Sequence, residues 1–203
     1  MATILQAYNG ALAILGDAAL ATVSDATASR YYLDAAYATA IDHCLLQANW
    51  SFAARKVEVS ADTDYTAGTG EWLYRFDKPT DLIRTITLAT DSTLQNPLER
   101  FEILGSYVYA DMTPLYWSYV SNGASYGGLL TSWPTHFLKV VQHHLAVDTC
   151  AQIKGDGNKK QEIYQWYKKY LDDAKSQNAY ENPVKTSPVG RFVRSRGYRS
   201  RED

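Results

Sequence analysis

A chain of 203 residues with 46% hydrophobic and 21% charged side chains can bury a core without disulfide or metal staples, and its composition excludes the disordered and fibrous classes. A formal net charge of −2 gives no overall attraction for nucleic acid, and no stretch approaches the roughly 18 apolar residues of a membrane span. Cys44 and Cys150 make no disulfide framework, which points to a reducing compartment, and the absence of a basic region ahead of an apolar run predicts a soluble, unprocessed protein.

The first predicted element is a short amphipathic helix over 3–15, with Ile4, Tyr8, Ala11, Leu12 and Leu15 on one face and Gly16 placed to end it. A second helix starts from Ser24 or Asp25 as cap and repeats Leu33, Tyr37, Ile41, Leu45 and Ala48 up to Asn49, about 24 residues and roughly 36 Å long. After Trp50 the period changes to two over 56–60, and the polar run 62–70 reads as a loop. Further strands are predicted at 72–76, 82–88, 101–104, 106–110 and 115–120. The turn signals Lys78-Pro79, Asn96-Pro97, Gly105 and Thr113-Pro114 between them argue antiparallel pairing.

Helical period returns with Ser132 as the expected cap, then Phe137, Val140, Val141, Leu145 and Val147 to about Lys154. Residues 155–158 break the chain. Ile163, Trp166, Tyr167, Tyr170, Leu171 and Ala174 define a last helix, expected to close at Asn178. So short a turn makes these two helices antiparallel neighbours. The expected fold is α+β, mainly α. Helices in 1–54 and a helical hairpin in 131–179 form a four-helix body, interrupted by an antiparallel β-rich insertion over 55–130 and followed by an extended, flexible basic tail over 180–203.

No residue pattern offers catalysis. His43, His136, His143 and His144 lack a ligand set with Cys150, because a spacing of six turns His144 and Cys150 to different helix faces. There is no nucleophile elbow and no phosphate loop. The glycine-rich stretch 123–128 lacks a lysine and reads as a flexible loop, and Asp172 and Asp173 read as solvated surface. No metal, no cofactor and no enzymatic activity are expected.

The sixteen tyrosines and five tryptophans suit cores and interfaces alike. Charge is uneven: residues 182–203 carry six Lys and Arg against Glu202 and Asp203, a net +4 that leaves −6 for residues 1–181. In that tail Phe192, Val193 and Tyr198 interleave with Arg191, Arg194, Arg196 and Arg199, a pattern suited to a groove both apolar and acidic. Ordering such a segment costs about 1–2 kcal/mol per residue in backbone entropy, so it needs a large complementary partner. These seven residues are the candidate partner-binding set. An arginine row also neutralises phosphates, so a DNA-binding or packaging accessory protein is the alternative, with a small hydrolase of unrecognised site third.

Residues 37–59 form a helix that closes on Trp50-Ser51-Phe52-Ala53 and passes into a strand. Trp72-Leu73-Tyr74-Arg75-Phe76 precedes Pro79-Thr80-Asp81, and a strand pair follows at 101–109. In that order, over most of residues 4–178, these motifs resemble the head-to-tail adaptor family of short-tailed bacteriophages, the tail tubular protein A-like proteins. The aromatic and glycine-rich segment 116–133 departs from the family pattern. The resemblance implies a dodecameric ring in the neck of the virion, assembled in the host cytoplasm, with no membrane association. It also implies that the C-terminal tail binds the portal, that the opposite face binds a tail or nozzle protein, and that DNA passes through the ring without specific recognition.

Overall fold

A computed structural model describes residues 2–66 and 72–181. Within them the chain runs α1 (Ile4–Leu15), α2 (Ala28–Leu46), β1 (Ala54–Val59), β2 (Tyr74–Asp77), β3 (Leu82–Ala89), β4 (Phe101–Leu104), β5 (Tyr107–Ala110), β6 (Leu115–Ser121), α3 (Thr135–Ile153) and α4 (Gly157–Glu181). This is the mainly α, α+β fold expected, with every strand pair antiparallel. The basic tail lies outside the described residues.

Helix α1 begins where the Thr3 side chain accepts from Gln6 N at 3.1 Å and stops at Gly16, whose φ of 70° is left-handed. Its C-terminal carbonyls are satisfied by lysines from the α3–α4 turn: Lys159 Nζ donates to Leu15 O at 2.8 Å and Lys154 Nζ to Gly16 O at 2.9 Å. Helix α2 is shorter than its periodicity suggests, at 19 residues. Its cap is Thr27, because the Asp25 carboxylate is already committed to Ala21 N, Thr22 N and Thr22 Oγ1 in the preceding turn. Ser132 is not a cap either. It ends a 3₁₀ turn, Leu130–Ser132, and donates to Leu129 O, while α3 starts after an extended Pro134. Helix α4 runs past Asn178 to Glu181.

The described residues form three layers. Helix α3 sits at the centre of the first, packed on α1, α2 and α4 through Phe137, Val140, Val141 and Leu145. The middle layer is a sheet of order β1-β6-β3, and the outer layer a sheet of order β2-β5-β4. The central strand β6 sends Leu115, Trp117 and Tyr119 into a core shared with Phe76, Val108 and Ala110 of the outer sheet. Val120 turns the other way into the helical core, where Ile83 and Ile86 of β3 also pack. A strand covered on both faces need not alternate apolar and polar residues, which explains the near-continuous burial of Leu115–Ser121.

The passage from α2 to β1 is built around Trp50. Its ring is fully buried, its indole N–H donates to Cys44 O at 2.9 Å, and its centroid lies 5.0 Å from that of Phe137. Phe52 (4.8 Å) and Trp133 (5.1 Å) complete the ring of aromatics around Phe137. Phe52 itself is half-buried, at the rim of the core. The 123–128 stretch is a tight corner and not an open loop. Trp133 Nε1 donates to Gly127 O at 2.7 Å, and a Cβ at Gly127 would stand 2.3 Å from Ser121 O and 2.9 Å from Leu45.

Asp81 ties the middle sheet together. Its carboxylate accepts from Arg55 Nη1 of β1 at 2.8 Å, from Tyr119 OH of β6 at 2.9 Å and from Ser121 Oγ. Its backbone carbonyl accepts from Asn122 N at 3.1 Å. Burial pushes this carboxyl up, but the hydrogen bonds from Ser121, Tyr119 and Arg55 outweigh it and hold the group below the usual aspartate value. Burial and the bond to Asp81 push the Tyr119 phenol up to about 12.

Replacing Trp50 by Ala is expected to cost about 3–5 kcal/mol, as a large core side chain and a buried hydrogen bond are lost together; a melting temperature equal to wild type contradicts this. Asp81→Asn gives a second expectation. A depressed folded pKa contributes stability that is present above the unfolded value of about 4 and is lost as pH falls through the folded value. The variant should therefore be less stable than wild type by about 2–4 kcal/mol at pH 7. The gap should narrow below about pH 4, as read from denaturant midpoints at several pH values.

Candidate interaction surfaces

The seven partner-binding candidates, Arg191, Phe192, Val193, Arg194, Arg196, Tyr198 and Arg199, lie outside the described residues. The structure does describe where the chain enters that segment. Near the end of α4 the buried Asn178 accepts from Ser51 N at 2.8 Å and donates to Asn49 O at 2.9 Å, and Ser51 Oγ donates to Glu181 Oε2 at 2.7 Å. Asn178 is thus a bracket inside the helix and not its stop. It pins the last turn of α4 to the corner between α2 and β1. Sequence periodicity could not find this role, because its partners are more than 120 residues away.

The histidines occupy packing positions. The His43 and His144 rings meet at a tilt of 57° with centroids 4.3 Å apart, beside a cleft of about 560 Å³ that Tyr164, Tyr167 and Lys168 also line. His144 Nδ1 stands 2.9 Å from Asp148 Oδ2. Burial holds the His43 imidazole below its ordinary value, with the neighbouring His144 acting in the same direction. His143 contacts Lys139 O and the Tyr170 ring, and burial lowers its value too. Burial pushes the Cys44 thiol up, the opposite of what a reactive thiolate needs. Among the described residues no group of three or more His, Cys, Asp or Glu is placed to hold a metal ion. Asp172 and Asp173 are exposed on α4, and no helix among the described residues is long and apolar enough to cross a membrane.

Exposed apolar side chains lie on α2, on α4 and on the outer sheet, among other places. On α4, Tyr164 and Trp166 are exposed, with Lys168 Nζ 4.7 Å from the first ring centroid and Lys169 Nζ 5.2 Å from the second. On the outer sheet, Phe101, Ile103 and Leu104 of β4 are 38%, 45% and 51% exposed. The register pairs Phe101 with Ala110 and Ile103 with Val108, two buried residues of β5. Paired side chains point to the same face, so the core-facing layer of this sheet continues past the sheet that covers it. The sequence reading placed β4 correctly but missed its exposure, because an apolar edge strand and an apolar buried strand have the same composition.

No family model matches the chain, and no curated protein sequence matches it.

Proposed function

We propose that this chain is a structural, non-enzymatic head-to-tail adaptor subunit of a tailed bacteriophage, one copy in a ring seated between the portal and the tail components. The observation that carries the reading is the order of motifs that resembles the family: a helix closing on Trp50-Ser51-Phe52-Ala53, the aromatic strand ahead of Pro79-Thr80-Asp81 and the strand pair at 101–109. Two of these motifs fall at joints. Trp50 fills the helix–sheet corner and Asp81 ties β1, β3 and β6. Such joints hold the helical layer and the middle sheet as one body, which is what a ring subunit needs.

The root of the tail also supports the reading. The basic, aromatic-bearing segment follows an α4 end that Asn178 and Ser51 bracket, so its attachment to the body is at a fixed point. Copies held on one ring then act at high effective concentration. Arginines steer the approach, and Phe192, Val193 and Tyr198 hold the docked segment.

Deleting residues 182–203 is expected to leave a folded body and to abolish stable attachment to the portal. Arg191→Glu with Arg194→Glu should slow association, whereas Phe192→Ala should mainly shorten the lifetime of the complex, both measurable by surface-immobilised portal binding. A truncated protein that copurifies with portal at full occupancy would move the anchor to the folded body. Salt-dependent duplex DNA binding by the full chain, lost on truncation and unaccompanied by portal binding, would favour the DNA-binding alternative.

A further inference from the structure

The outer sheet has one closed edge and one open edge. At β2 the neighbouring position is taken by residue 62, whose N–H donates to Arg75 O at 2.7 Å while its carboxylate holds the Arg75 guanidinium. Beyond β4 no strand follows among the described residues. Proteins blunt such an edge with charge, proline or a cover, yet β4 reads Phe101-Glu102-Ile103-Leu104 and presents its three apolar side chains to solvent.

We propose that β4 pairs with β4 of a second copy of this chain, antiparallel across a two-fold axis, joining the two outer sheets into one continuous sheet of six strands. The register follows from the β4–β5 hairpin. Its turn is Gly105-Ser106, with Gly105 at φ 56°, so Leu104 and Tyr107 flank it as a hydrogen-bonded pair. Leu104 and Glu102 therefore turn their backbone groups to β5, and Phe101 and Ile103 turn theirs outward. Outward-facing groups pair with outward-facing groups when Ile103 meets the second copy's Ile103. This places the overhanging core-face side chains of both copies side by side, and Glu102 opposite Leu104 of the second copy. The register one step back would set Glu102 against its own copy, a like-charge pair.

Charge agrees with the pairing. Lys78 Nζ sits on Gly105 O at 2.6 Å at one end of the strand, and Glu99, exposed, stands just before the other end. Antiparallel pairing brings the Lys78 end of each copy to the Glu99 end of its mate. Such an isologous contact differs from the head-to-tail contact that builds a ring, so it stands or falls independently of the adaptor reading.

Sedimentation velocity of the full chain over a concentration series should show a reversible dimer. Ile103→Lys and Phe101→Glu should each weaken it by about tenfold or more, while Leu46→Lys, at an exposed site on α2, should leave it unchanged. Because Ile103 falls on the axis at a Cα separation of about 5.5 Å, Ile103→Cys should form an intermolecular disulfide on mild oxidation, and Leu104→Cys should not. A monomer at every concentration, or self-association unaffected by both β4 substitutions, overturns the proposal. Neither result touches portal binding through the tail, which reports on the adaptor reading alone.

Discussion

A chain that leaves a helix and enters a sheet strand within a few residues exposes backbone amides at the corner, and burying that corner demands a partner for each of them. In this protein the corner is residues 47–53, and its partners come both from the end of α2 and from α4, more than 120 residues away. Trp50 supplies its own donor to Cys44 O and fills the space beneath with its ring, and Asn178 of α4 supplies both a donor for Asn49 O and an acceptor for Ser51 N. One fully buried indole and one buried amide thereby fix the angle between the helical layer and the middle sheet. The same contacts set the end of α4 against the start of β1.

From this corner the rest of the described structure follows in layers. The middle sheet is covered by helices on one side and by the small outer sheet on the other, so β6 can be apolar on both faces and Asp81 can sit among buried strands with its carboxylate fully engaged. The polar knot at Asp81 does for the sheet what Asn178 does for the corner: both satisfy buried polar atoms with long-range partners. The outer sheet is the least covered layer. Its strands β2 and β5 complete a core, and the edge strand β4 extends that apolar layer into solvent.

Much of this architecture was legible in the sequence. The periods of α1, α3 and α4 and the positions of all six strands follow from apolar spacing and turn residues, and Trp50 stands where the helical period gives way to the strand period. Local chemistry misled where two residues of similar capping ability competed. Thr27 and not Ser24 or Asp25 caps α2, because Asp25 closes its own turn first; Ser132 lost its role to the extended Trp133-Pro134 step. Asn178 looked like a helix stop because asparagine often is one, and only the fold brings Asn49 and Ser51 to it. The glycine-rich corner looked flexible because composition does not show that Leu45 and Trp133 close over it. The partner-binding candidates are visible as a pattern of arginine and aromatic residues, while the open edge at β4 appears only when the strands are ordered in space.

The proposed adaptor role assigns ring contacts to the body and portal attachment to residues 182–203, and its most direct test is electron microscopy of the purified chain mixed with the portal protein of the phage which that role implies. Twelve-fold rings coaxial with the portal are expected. Small separate particles beside undecorated portals, at concentrations where both proteins are folded, would contradict it.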